Sequence, residues 1–224
     1  MNRKRVVITG ATGMVGGCAL RLCLESPAVS MVTAIGRSQT GIIVNRLHDV
    51  IVDDFTDYSS LTSMLENQDA ALLCLGAYTG AVPDDLFRKI TVDYTLAFAK
   101  ALHIANPQAA VCFLSGQGAD QTEKSRMAFA RYKGATETAL LKMGFPRVHI
   151  FRPGYIYPVT PRKEPNLMYT ASRFLYPLVR RLYPNIGISS EDLAQAMVQA
   201  GLYGTGDNKD PILENKDIRT MQKL

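Results

Sequence analysis

The sequence predicts an α/β protein built on a doubly wound parallel sheet, and three observations carry that prediction. Short β-branched or apolar runs alternate with amphipathic stretches from residue 5 to residue 154. The first run breaks directly into a glycine-rich turn. A later run, "DAALLCLGA" (69–77), is uniformly apolar, as a strand covered on both faces should be.

Taken in order, "RVVITG" (5–10) is a β-branched run that stops at Gly10 and predicts a buried strand. From Met14 to Leu24, Val15, Ala19, Leu22 and Cys23 recur at helical spacing, and Pro27 closes that helix. "MVTAIGR" (31–37) and "HDVIVDDF" (48–55) hold the second and third strands, followed by a short helix in "SSLTSMLEN" (59–67). The fourth strand lies in 69–77. A long helix over 84–105 places Leu86, Ile90, Tyr94, Phe98 and Ala101 on one side. "AAVCFLSG" (109–116) is the fifth strand, 122–143 the next helix, and "RVHIFRPG" (147–154) the sixth strand.

Beyond Pro153 the pattern changes. "YIYPVTPRKEP" (155–165) predicts a proline-rich loop, and 166–185 a helical stretch interrupted by proline. "SSEDLAQAMVQAGLYG" (189–204) predicts a helix with a serine cap and early acids. "PILENKDI" (211–218) predicts a short last strand or edge segment. The whole chain, 1–224, is expected to form one domain, with 154–224 shaping a pocket for a small-molecule substrate.

Bulk properties narrow the function classes. The chain has 224 residues, 47% of them apolar, enough for a full core and too apolar for disorder. The formal charge of +5 is spread along the chain, which suits a phosphate-bearing ligand and forms no nucleic-acid arm. Cys18, Cys23, Cys74 and Cys112 form no CxxC pair, and each sits in an apolar stretch, so buried free thiols are expected. His48, His103 and His149 are isolated, and no metal site is expected. No segment approaches the ~20 apolar residues of a membrane span, and the basic N-terminus lacks a signal peptide's apolar run. A soluble, cytoplasmic protein is the expectation.

"VVITGATGMVGG" (6–17) places Gly10, Gly13 and Gly16 between the first strand and the first helix. Such a turn needs unusual dihedrals, close approach of backbone to a pyrophosphate, and tight packing of helix on strand. The helix start, at Thr12, Gly13, Met14 and Val15, then offers free N–H groups and a positive dipole end to phosphates. The expected architecture is therefore Rossmann-type, with a dinucleotide as cofactor. After the second strand, "AIGRS" (34–38) carries Arg37 where an NAD site would carry an acid, and no Asp or Glu lies between Met31 and Leu47. An arginine there accommodates a 2′-phosphate, and Ser38 can add a hydroxyl, so NADP is expected over NAD.

These residues resemble the short-chain dehydrogenase/reductase superfamily, in the atypical branch that includes Tat-interacting-protein-like oxidoreductases and NmrA-like redox sensors. The resemblance rests on "TGATGMVG" (9–16), "VDDF" (52–55), "LLCLGA" (72–77), "VDY" (92–94), "FLSGQGAD" (113–120), "YKGATETALL" (132–141) and "FRPGYIYP" (151–158). It implies that Asp54 accepts from the adenine amino group and that the Phe55 backbone lies beside the ring. It implies that Leu75, Gly76 and Ala77 pass under the ribose, that Lys133 bonds the nicotinamide ribose, and that the chain at Pro153 passes the nicotinamide. Subunit pairing through the two long helices, as in many members, is a further implication.

The usual chemistry of that superfamily needs a serine, a tyrosine and a lysine, the tyrosine one helical turn before the lysine. Here that position holds Phe129, which has no proton to give. Tyr132 precedes Lys133 directly and is rotated roughly 100° from it around a helix. Relatives often carry two adjacent serines after the fifth strand; here they are Ser115 and Gly116. Three possibilities stay open. Ser115 and Lys133 only hold NADP, in a protein that reports redox state or binds a partner; or hydride passes to a flavin or quinone that takes protons from water; or Tyr78, Tyr155 or Tyr157 supplies the proton, Tyr155 being best placed. Arg180 and Arg181, with Lys163 and Arg173, form either a solvated helix face or a rim for an anionic substrate.

Overall fold

Strand β1 (Lys4–Thr9) shows how the sheet is covered on both sides. Val6 and Ile8 point into one apolar layer and Val7 into the other, as a period of two requires. The computed structural model describes residues 3–78, 80–159, 186–206 and 208–221. In chain order the remaining elements are α1 (Met14–Glu25), β2 (Val29–Gly36), β3 (Leu47–Ile51), α2 (Thr62–Leu65), β4 (Ala70–Leu73) and α3 (Asp84–Arg88). They continue with α4 (Thr95–Ala105), β5 (Ala110–Leu114), α5 (Ala128–Lys142), β6 (Arg147–Arg152) and β7 (Tyr155–Tyr157). The last are β8 (Gly187–Ser189), α6 (Ser190–Tyr203), β9 (Ile212–Glu214) and α7 (Asn215–Thr220).

Seven strands pair in the order β3-β2-β1-β4-β5-β6-β9, every pairing parallel. One face is covered by α1 and α6, the other by α2, α4 and α5. The strand order reverses direction between β1 and β4, so a crevice opens there at the carboxyl ends of the strands. This is a Rossmann-type doubly wound sheet with the topology of the short-chain dehydrogenases, as the sequence predicts. The predicted last strand is realised in β9, which pairs with β6.

Four local features complete or alter the sequence pattern. The long helix over 84–105 is interrupted by a π-helical stretch, Lys89–Tyr94. The Thr91 carbonyl there lies 3.2 Å from Thr136 Oγ1 on α5, whose proton also reaches the nearer Tyr132 carbonyl at 2.8 Å. Helix α5 begins at Ala128, not near Thr122. The Asp120 carboxylate accepts from Thr122 N and Oγ1, Lys124 N and Ser125 N, which holds that stretch as a turn. The expected loop after Pro153 contains strand β7, which pairs with β8 in a separate two-stranded ribbon. In α6 the Ser189 side chain accepts from Asp192 N at 3.0 Å, the predicted serine cap. The predicted helix over 166–185, with Arg173, Arg180, Arg181 and the nearby Lys163, lies outside the described residues.

Gly134 locks α5 against the loop before it. A Cβ at this position would overlap the Asp120 carbonyl oxygen. Gly134→Ala is expected to destabilise the fold by about 1–3 kcal/mol in urea unfolding. At Gly76 a Cβ would meet nothing within 4 Å, and alanine there should be tolerated within about 0.5 kcal/mol.

Candidate active site

The glycine turn explains why α1 starts where it does. Gly10 has φ +76°, and a Cβ there would press on the Cys74 carbonyl oxygen at 2.7 Å. A Cβ on Gly16 would meet the Gly10 carbonyl oxygen, at a separation no side chain permits. Helix α1 is thereby drawn onto the ends of β1 and β4. Its cap, Gly13, brings no side chain to occupy the first-turn amides, and that turn contains no acid. The turn is a cradle that a Cβ would fill, with bare N–H groups above it, and it fits a pyrophosphate.

From this turn a cleft of about 630 Å³ runs along the carboxyl ends of β4, β5 and β6. Gly13, Met14, Val15, Leu75, Gly76 and Ala77 line one end, and Ser115, Gly116, Gln117, Phe129, Lys133, Pro153 and Tyr155 line the other. Gln117 N donates to the Pro153 carbonyl at 2.9 Å, which ties the loop after β5 to the chain leaving β6. A Cβ on Gly154 would overlap the Ile186 carbonyl oxygen, so the "RPG" turn needs its glycine to bring Tyr155 beside β8.

Ser115 does not stand alone. Its Oγ donates to Glu137 Oε1 at 2.5 Å. Glu137 is fully buried and receives Arg152 through Nε at 2.9 Å and Nη2 at 2.5 Å, with Gln121 Nε2 at 3.0 Å. Arg152 Nη1 continues to Glu214 Oε1 at 3.1 Å. A buried carboxylate is tolerated because a two-point guanidinium partner and further donors satisfy it. The hydrogen bond to Glu137, the largest influence, holds the Arg152 guanidinium well above its ordinary value.

Lys133 lies one turn before Glu137 on the same face of α5. Its ammonium donates to the Leu114 carbonyl at 2.7 Å and sits 4.7 Å from the centre of the Phe113 ring. Burial pushes its pKa down to about 8, against the pull of Glu137. Phe129 closes the wall above. The ideal Cβ position on Gly116 lies 2.6 Å from Phe129 Cζ and 3.5 Å from both Cε atoms, hence on the long axis of the ring. A Cβ at 116 would press on the far edge of this ring, which would have to shift, and a hydroxyl on Cζ would point toward Gly116. Tyr132 turns away, its hydroxyl donating to Asp84 Oδ2 at 2.6 Å. That bond raises its pKa, the opposite of what a proton donor needs.

Arg37 and Ser38 are exposed at the end of β2, and Asp54 is exposed after β3, all outside the cleft lining. Asp54 Oδ1 accepts from Thr56 N and Oγ1, which lowers its pKa and fixes the turn before the buried Phe55 ring. Thr12 is exposed beside Gly13 on the glycine turn. Glu137, Arg152, Gln117 and Gln121 join the cleft or its supporting network without being among the sequence-predicted site residues. Glu137 was signalled by its i+4 spacing from Lys133; the others left no signal. Among the described residues no group of three His, Cys, Asp or Glu is placed to hold a metal, and no helix is long and apolar enough to cross a membrane.

The depressed value of Lys133 has a signed consequence. Between about pH 8 and its ordinary 10.5 the unfolded chain binds more protons than the folded one, so stability rises with pH there. Below pH 8 the cost of burying the ammonium is present in full. Lys133→Met is expected to remove this rise, worth on the order of 3 kcal/mol, when urea unfolding of both proteins is compared at about pH 8 and 10.5.

No family model matches the sequence. The chain is 30% identical to the fmp52 protein of Aspergillus clavatus, covering 95% of this chain and 96% of that one. It is 27% identical to HTATIP2 of Rattus norvegicus, covering 100% and 91%. Among solved structures, a short-chain dehydrogenase of Burkholderia cenocepacia in complex with NADP superposes with a TM-score of 0.64, at 15% identity, over 100% of this chain and 93% of that one. WbmF of Bordetella bronchiseptica in complex with NAD+ gives 0.67, at 12% identity, over 99% and 78%. The expectation of a cytoplasmic protein is corrected by the fmp52 relatives, which are named as mitochondrial. Buried thiols and a missing apolar span do not select one compartment, so that inference lacked a physical basis. The chain belongs to the fmp52 family, within the branch of short-chain dehydrogenase/reductase-fold proteins that is related to HTATIP2.

Proposed function

We propose that this protein binds NADP(H) across the carboxyl ends of the sheet and acts as an oxidoreductase lacking the superfamily's tyrosine acid. The observation that carries this reading is the uncapped start of α1 over Gly10, Gly13 and Gly16, continuous with a cleft that ends at Lys133. The amides of Met14 and Val15 would face the phosphates. Leu75, Gly76 and Ala77 would lie along the riboses, with Lys133 donating to ribose hydroxyls and Pro153 beside the nicotinamide. Asp54 and Phe55 would flank the adenine, and Arg37 with Ser38 would take the 2′-phosphate. The NADP complex of the Burkholderia protein of the same fold supports such a placement.

NADPH held there would supply a hydride, and an acceptor such as a flavin or quinone would take its proton from water. Phe129 has no proton to give, and Ser115 spends its own on Glu137. Tyr155, on the same cleft, is the protein hydroxyl we assign to the nicotinamide end. The absence of a tyrosine at position 129 also favours a second reading, a non-catalytic NADP(H)-sensing or partner-binding protein.

Calorimetric titration with NADPH and NADH, followed by an acceptor screen, tests both. NADPH is expected to bind at least about tenfold tighter than NADH, and Arg37→Ala to reduce that preference about tenfold or more. NADPH oxidation with flavins or quinones supports the oxidoreductase; binding without turnover supports the sensor; no binding of either nucleotide refutes both. Phe129→Tyr alone is expected to create no carbonyl reduction, because the new hydroxyl would meet Gly116; ketone-dependent NADPH loss in that variant would contradict the ring placement.

A further inference from the structure

We infer that Glu137 is a positioning residue that makes Ser115 a hydrogen-bond acceptor toward the cleft, so that the site selects a ligand bearing an N–H or O–H at that point. Resting on the oxidoreductase reading above, the inference narrows the acceptor to a flavin-like ring with an imide N–H, in preference to a bare quinone or ketone.

Glu137 receives two N–H groups from Arg152 and one from Gln121. Paired with a guanidinium in this way it is a carboxylate, which accepts only. The remaining bond, between Ser115 Oγ and Glu137 Oε1, must therefore use the serine's proton. A hydroxyl has one proton and two lone pairs. With the proton committed, Ser115 has only lone pairs left to offer, and it lines the cleft. Its backbone is equally fixed, Ser115 N donating to the Phe151 carbonyl at 2.8 Å. A ketone or quinone oxygen placed here would face another acceptor. An imide N–H would be satisfied.

The test uses two probes that differ only at this group: lumiflavin, which has an N3–H, and 3-methyllumiflavin, which does not. Each is titrated into NADP+-saturated protein and followed by quenching of flavin fluorescence, so that no turnover is involved. Wild type should bind lumiflavin about tenfold tighter than its methylated analogue. Ser115→Ala, which keeps the Glu137–Arg152 pair, should abolish that preference; a preference caused merely by methyl bulk would survive it. Glu137→Gln offers an amide N–H to Ser115 and returns the serine proton to the cleft, so the preference should shrink or reverse in protein whose folding is verified by its melting curve. Should that variant not fold, Ser115→Ala decides alone. Equal binding of the two probes, binding of neither, or a preference unaffected by Ser115→Ala overturns the inference. Failure of NADP+ itself to bind would instead overturn the proposed cofactor.

Discussion

The contact between Gly16 and the Gly10 carbonyl is the constraint on which the site depends. With a Cβ at residue 16, α1 would be pushed off the end of β1. Because there is none, the helix starts directly above the strand end, and its cap has no side chain to quench the first amides. The strand order reverses at the same place, so the exposed dipole end meets an open crevice and not a neighbouring connection. The fold and the uncapped helix start are two consequences of one close approach.

The opposite end of the cleft is built by charge. Lys133 and Glu137 occupy successive turns of one helix face, and they do different work. Glu137 is neutralised by Arg152 and organises Ser115, while Lys133 rests on a carbonyl and a ring face. Burial therefore governs the Lys133 ammonium, while Glu137 is held by the two-point contact with Arg152. Phe129 and Gly116 belong together in the same sense, since the ring occupies the space that a second serine would need. The Phe129 ring and the bare backbone of Gly116 form one steric arrangement.

Much of this was legible in the residues. Uniformly apolar runs marked the buried strands, and Gly10, Gly13 and Gly16 marked the turn, because periodicity and backbone dihedrals are local properties. The start of α5 was not legible, since Asp120 captures the amides of residues 122, 124 and 125 through a side chain that helical periodicity does not register. The β7–β8 ribbon joins segments distant in the chain and depends on Gly154 approaching Ile186. Ser115 was visible as a site residue, but the direction of its hydroxyl was not, because that is set by Arg152 and Gln121 acting through Glu137. Arg37, exposed outside the cleft lining, owes its proposed role to its place after β2 alone.

Backbone hydrogen exchange with and without NADPH tests most directly whether the uncapped amides at the start of α1 meet the phosphates. Exchange at the amides of Met14, Val15 and Gly16 is expected to slow when NADPH is added, with Gly10 unaffected in its turn. Saturating NADPH that protects other segments and leaves these three amides exchanging as before would contradict that expectation.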